Sequence, residues 1–485
     1  MEKPITEAAL RDCFAGCGDL TNRNISFGLS GELRLPVLWL DGMVSGSAVS
    51  LELLRPLTEL LRAGSVRDQA GALQRIQEGG VYRCAVRRRD SLSDAAEDLC
   101  RGCCLLLFEE LGCALSFELK TEQRRAVGGP VLEKSLKGGK DAFTETLRVN
   151  TALVRQRIAS PQLKLAESCV GRRSRTQVAI LYLEPLASPQ LLRELAARLD
   201  RLDIDGLLAT GALEEAIVDA PRSPFPQLIH TERPDRFAMH LLDGRVGLLI
   251  DGIPLGLVLP VTLAEFLKVT GDSSMHFLVS STLSILRYLA LAIGTLLPAV
   301  FAAMALYHQE MIPTKLLLSI IQSEQDVPFS AAIELLGLLA AFSMLQEAGL
   351  RMPDPVGDTV SIIGALIVGQ AAVEAKLVSP ISIIVVAASG IACYTLPSQD
   401  LGSALRLTRL ALLLGAIGAG LYGVGLGCFL VALHLADLES FGLAYTAPLS
   451  SGRPGALGRL LLRPPQAADR HRDPLLRPLD ERRRA

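Results

Sequence analysis

The stretch Ser284–Leu306, SILRYLALAIGTLLPAVFAAMAL, decides what kind of chain this is. It runs 23 residues with one charge, Arg287, three residues from its start. A helix of that length is about 35 Å long and crosses the ~30 Å hydrocarbon core of a bilayer. Arg287 stands near the end, where a long side chain snorkels to the headgroups. Pro298 lies inside the run and removes the amide that would bond Gly294, so the spacing predicts a kink there.

Downstream the chain stays poor in charge. Ser379–Leu396 and Leu410–Leu433 are two further apolar runs, the second 24 residues long without a charge. They are read as crossings, like the first. Ala331–Leu345 and Thr359–Val373 are about 15 residues each, lengths that span only a thinned bilayer or form re-entrant segments.

Upstream of residue 280 charged and apolar residues alternate evenly, which explains how a 485-residue chain has both 21% charged residues and a mean hydropathy of +0.35. Leu35–Leu40, Cys103–Phe108, Cys113–Leu119 and Val178–Leu183 have the length and content of buried strands. Helical spacing recurs at Ala48–Leu61, Thr144–Ala159, Pro189–Leu199 and Leu213–Ile217. Val246–Ile250 and Pro254–Leu259 resemble one membrane span, but Asp251, Pro254 and Pro260 cut it into short pieces. A strand–turn–strand hairpin is the better reading.

The expected fold is an α/β soluble N-terminal half in two subdomains, residues 1–140 and 141–280. A transmembrane helical domain (281–436) and an Arg/Pro-rich tail (437–485) follow. Residues 1–30 hold Glu2, Glu7, Asp12 and Asp19 and no apolar core of a signal peptide, so insertion is expected from an internal span with the N-terminal half in the cytoplasm. The tail, with nine arginines against four acidic residues between 451 and 485, also prefers the cytoplasm. Both ends inside require an even number of crossings; five apolar runs fit if one short run fails to cross.

The chemistry this sequence offers is not that of an enzyme. It has no Walker A loop, HExxH, GxSxG, or GxGxxG after a strand. The pair Asp203 and Asp205 reads as a capped turn. Cys100 and Cys103 form a CxxC without the second pair that zinc needs, and pack as small hydrophobes. No catalytic residue, cofactor or metal is expected. A net charge of −2 supplies no basic field for nucleic acid.

Polar groups at membrane depth carry the functional candidates. Glu334 sits near the start of one short apolar run, and Gln370 sits late in another, one residue past Gly369 of a small-residue stripe that includes Ser361 and Ala365. Glu334, Gln370, Ser361 and Gly369 are candidates for an ion path; solvation at a helix end is the alternative. Arg287, His308 and Glu310 are candidates for a membrane mouth. Gly415, Ala419, Gly423 and Gly427 recur every four residues, a pattern for close helix packing within or between copies, or for a pore wall.

From residue 172 the chain resembles a known family. The motifs are Arg172–Tyr182 (RRSRTQVAILY), Arg201–Gly206 (RLDIDG), Ser223–Gln227 (SPFPQ), His230–Asp235 (HTERPD), Gly244–Val246 (GRV) and Asp251–Pro254 (DGIP). Leu286–Leu289 (LRYL), His308–Pro313 (HQEMIP), Val327–Phe329 (VPF), Glu347–Pro353 (EAGLRMP), Val360–Ile362 (VSI), Gly369–Val373 (GQAAV) and Ser440–Gly442 (SFG) continue the series. In order and content they resemble the GerA-type spore germinant receptor A subunits over roughly residues 30–450. The resemblance extends to a close paralogue, the stage V sporulation AF-type protein. Ser45-Gly46-Ser47 departs from the charged residues that receptor subunits often carry there. The resemblance implies a multi-pass protein of the spore inner membrane that self-associates. It implies B-type and C-type receptor subunits as partners, with the A subunit as the ion-conducting part.

Overall fold

The computed structural model describes residues 4–27, 33–62, 68–81, 85–119, 128–130, 133, 137–325, 327–351, 369–451 and 456–465, with 468, 471–476, 478 and 480–483 beyond them. The chain forms two compact units. One holds residues 1–221, 228–261 and 469–485, the other residues 222–227 and 262–468.

The first unit is built twice from one plan. In the first copy α1 (Glu7–Cys13) precedes β1 (Leu20–Phe27) and β2 (Leu33–Leu40). Two helical stretches follow, α2 (46–62) and α3 (Gln69–Arg75). Then come β3 (Val86–Arg89), α4 (Leu92–Cys100), β4 (Cys103–Phe108) and β5 (Cys113–Glu118). The second copy repeats the order: α5 (Leu147–Arg157), β6 (Leu163–Val170), β7 (Thr176–Leu183), α6 (Pro189–Asp200), α7 (Thr210–Ile217), β8 (Ile229–Thr231), α8 (Pro234–Leu242), β9 (Val246–Ile250) and β10 (Gly256–Leu259). The sheets run β1-β2-β4-β5-β3 and β6-β7-β9-β10-β8, the same order in both copies, with every pair antiparallel. The Val246–Leu259 hairpin is therefore a pair of central strands, buried throughout.

The central strands are continuous apolar runs, buried on both faces. Leu35, Val37, Leu38, Leu105, Leu106 and Leu115 fill the first core. In the second, Gly247 and Gly256 leave the hollow that Phe237 of α8 occupies; a Cβ at Gly247 would lie 2.0 Å from that ring. The two copies meet at a buried ion pair. Arg155 of α5 grips Asp19, ahead of β1, through Nε and through Nη2 at 2.8 Å, and both side chains are 1% exposed.

The second unit is helical. Its helices are α9 (Phe277–Tyr307), α10 (Thr314–Glu324), α11 (Ala331–Arg351), α12 (Pro380–Tyr394) and α13 (Gln399–Asp437). Among the described residues three are long and apolar enough to cross a membrane: α9, α11 over Ala331–Ala348, and α13. Two lengths depart from the sequence reading. The run at 331 continues as helix through Gln346 and Glu347, because backbone bonding does not stop at a polar side chain. The helix in Ser379–Leu396 has only 15 residues, capped by Ser379 and ended by a turn at Thr395, about 22 Å. Residues 359–368 of the run Thr359–Val373, and with them Ser361 and Ala365, lie outside the described residues; 369–374 are helical.

The largest correction concerns Leu410–Leu433, which is not one straight crossing. Ala419 (φ −141°, ψ 16°) and Gly420 (φ 61°, ψ −142°) break α13. A Cβ at Gly423 would stand 2.0 Å from the Gly415 carbonyl oxygen, and one at Gly427 2.6 Å from Leu412. In a straight helix residues 415 and 423 are about 12 Å apart. The contacts 415–423 and 412–427 are those of an antiparallel helical hairpin, with halves 399–418 and 421–437. Gly420 occupies a region of backbone space open essentially to glycine alone. The Ile417 carbonyl, freed by the break, accepts from the Tyr307 hydroxyl at 2.7 Å.

This hairpin also brings the chain back. Its turn lies beside Tyr307 and His308, at the end of α9. Beyond its second half, Leu263, ahead of α9, donates its amide to the Tyr445 carbonyl at 2.9 Å, and Arg463 donates its amide to Ser281 Oγ at 2.9 Å. The segments before α9 and after α13 thus meet at one end of the helical unit.

Candidate functional site in the helical unit

Glu334 lies in the first turn of α11 and is 2% exposed. Its Oε2 accepts from the Ser379 amide at 3.0 Å and the Ser379 hydroxyl at 2.9 Å. Ser379 is the N-cap of α12, with its Oγ 2.9 Å from Ser382 Oγ. The carboxylate therefore faces the positive end of a helix, which favours its charge. Its other oxygen, Oε1, is buried without a hydrogen bond. Glu324, at the end of α10, feels this group: burial and then the Glu334 charge push its carboxyl above the usual range.

The other ion-path candidates do not join Glu334. Gln370 is exposed, Gly369 is half-buried with open space where a Cβ would be, and Ser361 lies outside the described residues. Among the described residues Glu334 bonds only to Ser379.

Of the mouth candidates, Arg287 does not snorkel. It grips Asp272 through Nη1 at 2.6 Å and Nη2 at 2.8 Å, and donates to the Leu267 carbonyl at 3.2 Å. A carboxylate within reach neutralises the guanidinium better than a distant interface does. His308 closes the last turn of α9 and Glu310 is exposed beyond it. Gly415 and Gly423 pack on one another across the hairpin, and Gly427 packs on Leu412; the break at Ala419 ends the single stripe that a four-residue period suggests.

Sequence reasoning missed a second polar point. Pro298 deprives the Gly294 carbonyl of its helical donor, and Ser389 of α12 supplies one, its hydroxyl bonding Gly294 O at 2.8 Å. Neighbouring serines satisfy proline-freed carbonyls in this way in membrane helices. Ser389 Oγ in turn accepts from Arg409 Nη1 at 3.0 Å. The signal was present: Arg409 stands one residue before the apolar run 410–433.

In the first unit, Asp203 and Asp205 are exposed and pair with Arg172 at 3.2 Å each. Burial pushes the Cys100 thiol up to about 12, making it unreactive. Among the described residues no three His, Cys, Asp or Glu side chains group as a metal site.

Two antiparallel α/β repeats and a helical unit with spans long enough for a membrane define an integral membrane protein with a large extramembrane region. Residues 8–475 match the Bacillus/Clostridium GerA spore germination protein family, and the chain belongs to that family. It is similar to spore germination protein KA of Bacillus subtilis, 34% identical, with 94% of this chain and 83% of the relative covered. It is also similar to an uncharacterised membrane protein, YfkQ, of B. subtilis (35% identical; 93% and 86%). Spore germination protein GerLA of Bacillus cereus is 31% identical (91% and 89%). Among solved structures it is similar to the N-terminal domain of the A subunit of the Bacillus megaterium spore germinant receptor GerK3. That match is 28% identical with a TM-score of 0.42, covering 53% of this chain and 96% of that one.

Proposed function

We propose that this chain is the A-type subunit of a spore germinant receptor and couples nutrient sensing to ion release across the spore inner membrane. It acts as the oligomeric, ion-conducting part, with B-type and C-type subunits as partners. Its large N-terminal region stays on the cytoplasmic, spore-core side. Membership of a spore germination family supports the receptor role. The ion path rests on one observation: Glu334, fully buried in the helical unit, keeps one carboxylate oxygen without a partner. A buried carboxylate oxygen left bare in this way is completed when water, a proton or a cation reaches it. The experiment is ion flux from vesicles holding this chain with its partner subunits, with and without nutrient. Wild type conducts on nutrient addition, and Glu334→Gln conducts less at equal protein level.

A second reading is a membrane-anchored scaffold, or a stage V AF-type accessory protein, that assists germination without conducting. One observation favours it: the α12 N-terminus by itself stabilises the Glu334 charge. Under that reading flux does not depend on this chain.

A further inference from the structure

We infer that Arg409 is the centre of an anion site inside the helical unit, one that takes a halide or a small carboxylate. Arg409 lies in the first half of the α13 hairpin and is 2% exposed. Its level is set by its partner: Ser389 bonds Gly294, which stands 17 residues into the 31-residue α9, near the middle of that span.

A guanidinium carries five N–H donors and a full charge at any working pH. Here Nη1 alone is engaged, by Ser389 Oγ at 3.0 Å and, weakly, by Cys393 Sγ at 4.0 Å. Among the described residues Arg409 forms no ion pair and no further hydrogen bond. The nearest charge along the helix is Arg406, one turn back and of the same sign, which bonds Ser403 at 3.1 Å. Positioning Ser389 under the Pro298 gap takes one N–H. It does not explain a cation, because any neutral donor does the same. A buried charge without a counter-charge is costly, and buried charges are otherwise paired.

Burial also limits the occupant. A side chain 2% exposed admits no macromolecule and no lipid headgroup as the structure stands, so the counter-charge is a small free anion. Chloride and formate share the needed chemistry. They differ in that a carboxylate takes two parallel N–H bonds from the guanidinium fork, whereas a halide needs only the charge. This site is independent of the ion path assigned to Glu334.

The test is the thermal unfolding midpoint of the purified full-length chain in detergent, in sodium gluconate, chloride or formate at equal ionic strength. Gluconate serves as the bulky reference anion. The wild-type midpoint rises with chloride and with formate concentration and saturates. Arg409→Met, which removes the charge and keeps the volume, has a higher midpoint than wild type in gluconate and responds to neither anion. Arg409→Lys keeps the charge and loses the fork; it retains the chloride response and loses apparent affinity for formate several-fold. A wild-type midpoint identical in the three salts overturns the site, as does an Arg409→Met response matching wild type. If Arg409→Met does not accumulate, a lysine variant with undiminished formate affinity overturns it.

Discussion

Two buried arginines, Arg155 in the α/β unit and Arg409 in the helical unit, are equally hidden and oppositely treated. Arg155 is clasped by Asp19 at two nitrogens and reaches the Leu163 carbonyl at 3.4 Å. Arg409 holds one serine and one thiol. The same contrast separates the carboxylates: Asp19 is fully bonded, while Glu334 keeps a bare oxygen. The α/β unit spends its buried charge on joining its two repeats. The helical unit keeps charges that nothing among the described residues completes, the condition expected where ions or protons are handled.

The largest effect is expected where pairing is complete. Asp19→Ala leaves Arg155 charged and alone in the core, and should cost the α/β unit about 3–5 kcal/mol. Urea or thermal unfolding of the full chain, followed by the circular dichroism of the sheets, reads it. A loss below about 1 kcal/mol erases the contrast on which the comparison rests.

Next comes the hairpin. Gly423→Leu places a side chain against the Gly415 carbonyl and should cost about 1–3 kcal/mol or open the two halves. A distance decides the geometry directly. Leu407 and Leu433 are both exposed, 58% and 56%, so spin labels fit there. A straight helix puts them about 39 Å apart, whereas the hairpin brings them within roughly half that. A long distance restores the single crossing and removes the returning half.

The smallest effect is a slope. Asp98 is held below the usual carboxylate range: burial raises it, but hydrogen bonds from Arg89 (2.8 and 3.1 Å) and Ser116 outweigh burial. A depressed carboxylate contributes stability above its unfolded value of about 3.9 and loses it as pH falls toward the folded value. Asp98→Asn should flatten stability between about pH 5 and 3 and leave neutral pH nearly unchanged. A slope identical to wild type would show that the Arg89 pair does not govern acid loss.

Legibility in the sequence followed the same division. Central strands such as Leu105–Phe108 and Val246–Ile250 are continuous apolar runs, so periodicity finds them. The edge strands β1 (LTNRNISF) and β3 (VRRR) face water and carry polar residues, and nothing in composition marks them. The internal repeat escaped because its copies share element order rather than residues. In the helical unit apolar runs locate the helices but say nothing of a reversal inside one. The signal for that reversal was the density of glycine, six between 415 and 427, where one helix would lose about 1 kcal/mol at each. Glu334 was legible as a carboxylate in an apolar run. Its contact with Ser379, 45 residues away, was not.

The account stands most directly on nutrient-dependent flux through Glu334. Vesicles holding this chain with the proposed B-type and C-type partner subunits are loaded with a monovalent cation, and efflux is recorded on nutrient addition for wild type and Glu334→Gln. The account predicts prompt efflux for wild type and a several-fold slower rate for the glutamine variant at equal protein level and equal thermal midpoint. Efflux at the wild-type rate from Glu334→Gln, or from vesicles lacking this chain, would contradict it.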